Sequence, residues 1–464
     1  MVTELRVHGV SGTPVESTLD RPLLHRVAGD ADAGFHRPRP AYGDTTGPGG
    51  AALEGYRWGN LTAGAAARAM WLLLLPFMLA NVTMWLRPPA GHRGTLLTRA
   101  LCRVFGLSVT ATFVLALAGV SLDLVAWQCA TPGNPCATGR SYLRFLTEMP
   151  TGRRLAVLAV VPIAVLAFLW FLARRTWARY EAYPLPETAD GDGLAAAGFW
   201  AGMAQVGRLR SIHLAAACGT LAALLGWAVA GHDRDWPGYL LAIAATGLLA
   251  ACALALCLTG MVSRDRPAGW ADRAATGLRT AGFLLVGLVL VNAAWARGPW
   301  YATGGLPGYG LSVTTLFAGQ SVLLLALGVV VFVQSRQTTP RPPLYGLAGP
   351  VLGSVAVGVS VAFTAGVSYR VADFLDRGAV PTPSGYGPAR PLQPPAAYEW
   401  TAFGFVVLVV VAILVAVLAR VRLLGRLRAA AAGTTDHDFP HGRTRDPARA
   451  AAIDTAIADA QLAD

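Results

Sequence analysis

No lysine occurs among these 464 residues, and only 14% of them are charged. A soluble domain carries about 25% charged residues, so the deficit points to a bilayer before any segment is read. The sequence also has no Walker-type phosphate loop, dinucleotide fingerprint, H-E-x-x-H or haem-attachment pattern. A soluble ATPase or redox enzyme is left without support. A G-x-S-x-G nucleophile elbow is missing too, because "GLSVT", "GQSVL" and "GRSYL" each lack the second glycine.

What is there is apolar and basic. Hydrophobic residues make up 54% of the chain, and the formal net charge is +12. A nucleic-acid binder would gather that charge on one domain. Here the arginines stand at the ends of apolar runs, where they set orientation and meet anionic headgroups. The expected partner is therefore the lipid bilayer, and no nucleic acid. The arginine bias, with abundant alanine and glycine, reflects GC-rich coding.

Nine runs approach the roughly 20 residues that cross a bilayer as a helix. They cover 66–86, 101–127, 155–173, 212–230, 239–262, 278–296, 311–333, 347–374 and 403–419. The sequence thus predicts an all-α polytopic membrane protein of eight or nine apolar helices with a small N-terminal α/β element. Three parts follow: a soluble segment over 1–62, a transmembrane domain over 63–428, and a helical tail over 429–464.

Arginine clusters give the orientation. They follow the third run (Arg174, Arg175, Arg179, Arg208, Arg210), the fifth (Arg264, Arg266, Arg273) and the ninth (Arg420, Arg422, Arg426, Arg428). By the positive-inside rule all three are cytoplasmic, in a bacterial cell membrane. The loop "CATPGNPC" between Cys129 and Cys136 then lies outside, where a disulfide is the reading preferred over chance spacing. The other cysteines (Cys102, Cys218, Cys252, Cys257) lie in or at the edge of apolar runs and read as packing residues.

Parity sets a conflict. Nine crossings with the C-terminus inside would place the N-terminal segment outside. No leader precedes that segment, and it carries Arg6, Arg21, Arg26, Arg37, Arg39 and Arg57. The first run holds Pro76 and Asn81 between flanking arginines. It is expected to be re-entrant or interfacial, leaving eight crossings and both termini cytoplasmic. In the tail, Asp446-Pro447 suits a helix start.

The opening "LRVHGVSGTP" resembles the first strand and oxyanion loop of α/β-hydrolases. In them, residues after His-Gly help donate backbone N–H groups to a tetrahedral oxyanion. The chain as a whole resembles a group of actinobacterial integral membrane proteins of unknown function. These pair such a stretch with the run "WLLLLPFMLANV". The resemblance implies a hydrolase-like portion divided by the membrane block. Only His8, Gly9 and Val10 carry over, as an oxyanion-loop-like element without a nucleophile. The alternative is that His8-Gly9 merely ends a strand.

Other candidates are weaker. Asp30, Asp32 and His36 form either an oxygen-rich metal site or a Gly/Pro-rich turn, and the turn is preferred; no metal or cofactor is expected. The sequons at Asn60 and Asn81 are dismissed. For transport, the intramembrane polar residues are Asp123, Asn292 and Gln320, with Arg370 and Asp373 about one turn apart. Gly353, Gly358 and Gly366 are expected to allow close helix packing. The leading expectation is a non-catalytic membrane scaffold or interaction protein. A split ester or lipid hydrolase completed by another chain is the second reading. A small-molecule transporter is the third.

Overall fold

The structure is a computed structural model. It describes residues 3–8, 14–29, 33–40, 45–47, 50–58, 74–86, 94–131, 134–180, 203–262, 269–295, 298–337, 343–376, 392–431 and 447–463. They fall in two compact units, Met1–Tyr398 and Glu399–Asp464.

The first unit opens with a four-stranded mixed sheet. Strand β1 (Thr3–His8) is followed by helix α1 (Val15–Leu19), then β2 (Leu24–Gly29), β3 (Ala33–Pro38) and β4 (Ala52–Trp58). The spatial order is β1-β4-β3-β2. β1 runs parallel to β4, while β4–β3 and β3–β2 are antiparallel. Val15 and Leu19, one turn apart on α1, bury themselves on Leu53. Gly55 lets the helix settle there, since a Cβ would stand 3.0 Å from Leu19 and 3.1 Å from Val15. On the opposite face Phe35 packs on Tyr56, with ring centroids 4.5 Å apart. Glu54 is buried there and pairs with Arg37 at 3.4 Å.

Eight helices among the described residues are long and apolar enough to cross a membrane, and the chain is a multi-pass membrane protein. They correspond to the second through ninth apolar runs. The described part of the first run is α2 (Leu75–Trp85), eleven residues, about 16 Å at 1.5 Å per residue. Residues 66–73 of that run lie outside the described residues. α2 buries Pro76, Ala80 and Thr83.

Helix α3 (Thr95–Ala118) enters through Gly94, whose φ of 91° only glycine adopts without strain. It continues without interruption as a π-helix, Gly119–Cys129. Short α4 (Pro135–Thr138) and α5 (Ser141–Thr147) lead into α6 (Thr151–Leu158) and α7 (Val160–Tyr180). These last two form one span broken at Ala159, where Pro162 has no N–H to continue the ladder. α8 (Met203–Asp233) and α9 (Trp236–Cys257) are joined by a tight turn. Arg234 takes φ 54° there. Asp235 caps α9 by accepting from the Gly238 N–H at 3.0 Å, and Pro237 sits in the first turn. After α10 (Thr259–Val262) come α11 (Gly269–Ala294), α12 (Tyr309–Ser335) and α13 (Ala348–Asp376).

Small residues set the closest helix approaches. A Cβ on Gly226 of α8 would stand 3.1 Å from the Cα of Ala242 on α9, and one on Gly282 of α11 would stand 3.2 Å from the Cα of Ala215 on α8. The glycines of α13 divide. Gly353 faces Leu324, with its built Cβ only 2.5 Å away, whereas Gly366 has nothing within 4 Å. Close packing therefore explains Gly353 but not Gly366.

The second unit holds α14 (Ala397–Ala431), apart from its first two residues, and α15 (Pro447–Ala463). Within it Arg428 meets Asp459 at 3.4 Å, and Ala431 and Ala458 are buried.

Replacing Gly226 by valine forces two backbones apart and is expected to destabilise the protein by about 1–3 kcal/mol. Gly366→Ala is expected to be neutral or to stabilise by up to about 1 kcal/mol through helix propensity. Thermal unfolding of the two purified variants in one detergent checks the contrast.

Candidate functional site

Of the oxyanion-like residues, only His8 is described. It is the last residue of β1 and lies in register with Arg57 of β4. Gly9 and Val10 lie outside the described residues, as do Asp30 and Asp32 of the metal candidate. His36 is described on β3, and its Nδ1 lies 3.2 Å from the Gly34 carbonyl. Partial burial holds its pKa below the ordinary value of 6.5. Among the described residues no group of three or more His, Cys, Asp or Glu side chains is placed to hold a metal ion.

One polar cluster among the described residues is built on the π-helix. Gly119, Asp123 and Trp127 recur every fourth residue and address three points on one stretch of chain. The hydroxyl of Tyr309 lies against Gly119 where a Cβ would otherwise stand. The Asp123 carboxylate accepts from the Leu306 N–H at 2.6 Å. Trp127 donates from Nε1 to the Gly304 carbonyl at 3.1 Å. A π-helix is rare and marks functional sites. Its wider winding keeps residues four apart close to one line, which suits this stretch before and into α12.

Asp123 is 1% exposed, and among the described residues no cation pairs with it. Its neighbours are hydroxyls and amides. Tyr309 shares a 3.0 Å hydrogen bond with Tyr398, and both rings are fully buried. Tyr398 also meets Thr364 and Ser368 of α13.

Around this cluster the ends of the elements are tied to one another. Cys129 and Cys136 are joined as a disulfide with Cα atoms 5.2 Å apart. Asn134 donates to the Gln128 carbonyl at 3.0 Å and accepts from the Cys136 N–H at 2.9 Å. The Gln128 amide grips the backbone of Gln393 at both ends, donating at 3.0 Å and accepting at 2.9 Å. Buried Arg154 donates to the Ala130 carbonyl and, at 2.8 Å, to Thr151 Oγ1. Thr151 in turn donates to the Trp300 carbonyl at 2.6 Å. Arg140 reaches the Phe374 carbonyl, and Asp376 accepts from the Leu392 N–H at 3.1 Å.

Deeper in the bundle, polar residues bridge helices in pairs. Gln320 of α12 donates both Nε2 hydrogens to α3, to Ser108 at 3.2 Å and Thr112 at 2.9 Å. Those hydroxyls send their own hydrogens to α3 carbonyls, of Phe105 and of Ser108. Thr98 donates to Gln334 Oε1 at 3.1 Å, and Thr110 meets His213 Nδ1 at 2.8 Å. Between these levels the α3–α12 seam is apolar: Val313 and Phe317 above Gln320, Leu327 and Val331 below it. Asn292 is half-buried on α11. Arg370 and Asp373 form no ion pair with each other. Arg208, one of the arginines of the cluster after the third run, is buried and pairs with Asp272 of α11 at 2.7 Å.

The structure thus brings Asp123 together with Cys129 through the π-helix, but keeps Asn292 and Gln320 apart from it. The sequence reading missed Tyr309, Tyr398, Gln128, Trp127 and Arg154. A pair of tyrosines at span ends, and an arginine opening a span, were the available signals. Chemically the cluster is a set of hydrogen bonds that leaves Arg154 Nε without a partner; among the described residues no nucleophile is paired with a base and an acid. Comparisons with known protein families, curated proteins and solved structures found no match for this chain.

Asp123→Leu leaves the Leu306 N–H buried without an acceptor and is expected to cost about 1–3 kcal/mol. Asp123→Asn keeps an acceptor oxygen and should cost less. Thermal unfolding, with proteolysis near Leu306 as a local readout, separates the two. For His36 the sign follows from its lowered folded pKa: the unfolded chain binds the proton more readily. The sheet's stability is therefore expected to fall as the pH drops below about 6.5, and His36→Gln should flatten that slope in amide exchange of β3.

Proposed function

We propose that this chain is a non-catalytic membrane platform. Its bundle anchors it in a bacterial cytoplasmic membrane, and its N-terminal sheet offers a strand edge to a protein partner. The observation that carries the reading is the state of β1. Among the described residues it ends the sheet, it pairs with β4 without a break over six residues, and it has neither proline nor bulge, its charges Glu4 and Arg6 both lying on the α1 face. Such an edge takes up an extended segment from another chain by backbone hydrogen bonding. Among the described residues Val15, Leu19 and Leu53 form the buried apolar cluster of the sheet.

The arginine distribution supports the orientation. With eight spans, the clusters around Arg174, Arg273 and Arg420 fall on one side together with the sheet and the tail. Anionic headgroups are the lipid partner on that side. The sheet is read as an incomplete relative of the hydrolase opening that "LRVHGVSGTP" resembles, within the actinobacterial membrane group. Transport draws less support, because apolar layers separate the polar levels of the α3–α12 seam.

One observation favours the split hydrolase as a second reading. β1 and β4 run parallel, so His8 and Arg57 stand at the same carboxyl end, where open α/β sheets bind ligands. A nucleophile supplied by another chain would have to approach there.

A photo-reactive residue placed at Val7, in membranes of the expressing cell, is expected to form protein adducts. One placed at lipid-facing Val322 should not. Absence of adducts at Val7 would overturn the platform reading. Fluorophosphonate labelling of the chain alone would overturn its non-catalytic character, and labelling only beside a second protein would favour the split hydrolase.

A further inference from the structure

We infer that the partner taken up by β1 is a second copy of this chain, paired antiparallel across a two-fold axis at Leu5. The inference rests on the reading of β1 as a docking edge and names its occupant.

The sheet has two edges, and they differ. β2 is interrupted by a register shift between Arg26 and Ala28, a bulge that blunts strand addition. β1 has no such interruption. Its side chains alternate between faces. Arg6 is on the α1 face, where its Nη1 donates to the Thr18 carbonyl at 3.3 Å. Glu4 shares that face and pairs with Arg6 at 2.8 Å. Leu5 and Val7 share the other face, and Val7 is half exposed.

The order of these residues is self-complementary. In an antiparallel pair centred on Leu5, that leucine meets its own copy across the axis. Glu4 then stands opposite Arg6 of the second copy, and Arg6 opposite its Glu4. Unlike charges directly opposite stabilise a strand pair, whereas like charges oppose it. Centring on Arg6 would set Arg6 against its own copy. Centring between two residues would set the Leu5/Val7 face of one sheet beside the α1-covered Glu4/Arg6 face of the other. The Leu5 centre alone keeps Leu5 and Val7 on one face and balances the charges on the other. It yields one continuous eight-stranded sheet over two chains, an isologous interface. Anchoring both chains in one bilayer raises their effective concentration, so a short strand pair can hold.

The charges provide the test, using full-length chains in two differently tagged versions co-expressed and purified in mild detergent. Wild-type copies are expected to co-purify. Glu4→Arg copies, or Arg6→Glu copies, should each lose at least five-fold of that co-purification, because like charges now face each other. A Glu4→Arg chain mixed with an Arg6→Glu chain should recover it, since each arginine again meets a glutamate. Neither variant keeps the internal Glu4–Arg6 pair, so recovery cannot come from repair within one chain. Equal co-purification in all four combinations would overturn the inference, as would failure of the wild-type copies or of the mixed pair.

A second measurement avoids charge changes. With Cys257 replaced by serine, Leu5→Cys should cross-link to a dimer under mild oxidation, and Val27→Cys on β2 should not. Dimer at Val27 but not at Leu5 would overturn the assignment. Photo-adducts at Val7 made only with a different protein would overturn the inference and leave the platform standing. No adduct at all would overturn both.

Discussion

Inside hydrocarbon a polar group has no water to fall back on, and the architecture of this chain follows from that constraint. The backbone closes on itself as helices. The donors of the side chains follow the same demand: Gln320 gives both amide hydrogens to α3 hydroxyls, whose own hydrogens go to their helix, while its Oε1 is left buried without a partner. Each such bridge is worth only about 0.6 kcal/mol on average in bilayers. Their effect is to fix the register of α3 against α12, which the featureless packing of Leu, Val and Phe would leave free to slide.

The end of the bundle that carries the disulfide applies the same rule to irregular chain. The stretch from Trp300 to Leu306 and the segment at Leu392–Gln393 carry backbone groups that no helix satisfies. Asp123, Trp127, Gln128, Thr151 and Asp376 supply the missing partners. A carboxylate buried in a span usually suggests movement of ions or protons. Here it is occupied by a backbone amide, so it resembles a helix cap more than a translocation site.

Much of this was legible in the sequence. Among the described residues the second through ninth apolar runs are long helices, because length and apolarity alone decide that outcome. The suspicion about the first run, raised by Pro76, Asn81 and the flanking arginines, is not decided by α2, because residues 66–73 lie outside the described residues. Other features were out of reach for physical reasons. Whether Arg208 faces headgroups or Asp272 depends on helix rotation, which an almost uniformly apolar helix does not encode. The partner of Asp123 lies 183 positions away, and no local pattern specifies it. The pairing of β1 with β4 skips two strands, and neither strand announces its neighbour. The π-helix leaves no trace in composition, and the Tyr309 hydroxyl that lies against its first residue, Gly119, is 190 positions away.

That π-helix divides one continuous 35-residue span into two codes. From Thr95 to Ala118 a face repeats every 3.6 residues; beyond Gly119 it repeats more slowly. Tolerance to substitution along this helix should therefore change its period at Gly119. Natural variation among related chains should carry the same break, as a shift in the rhythm of permitted residues rather than in their chemistry. A single deletion within Gly119–Cys129 would restore the faster rhythm and turn every later side chain away from its present neighbour. Length there is under tighter constraint than identity.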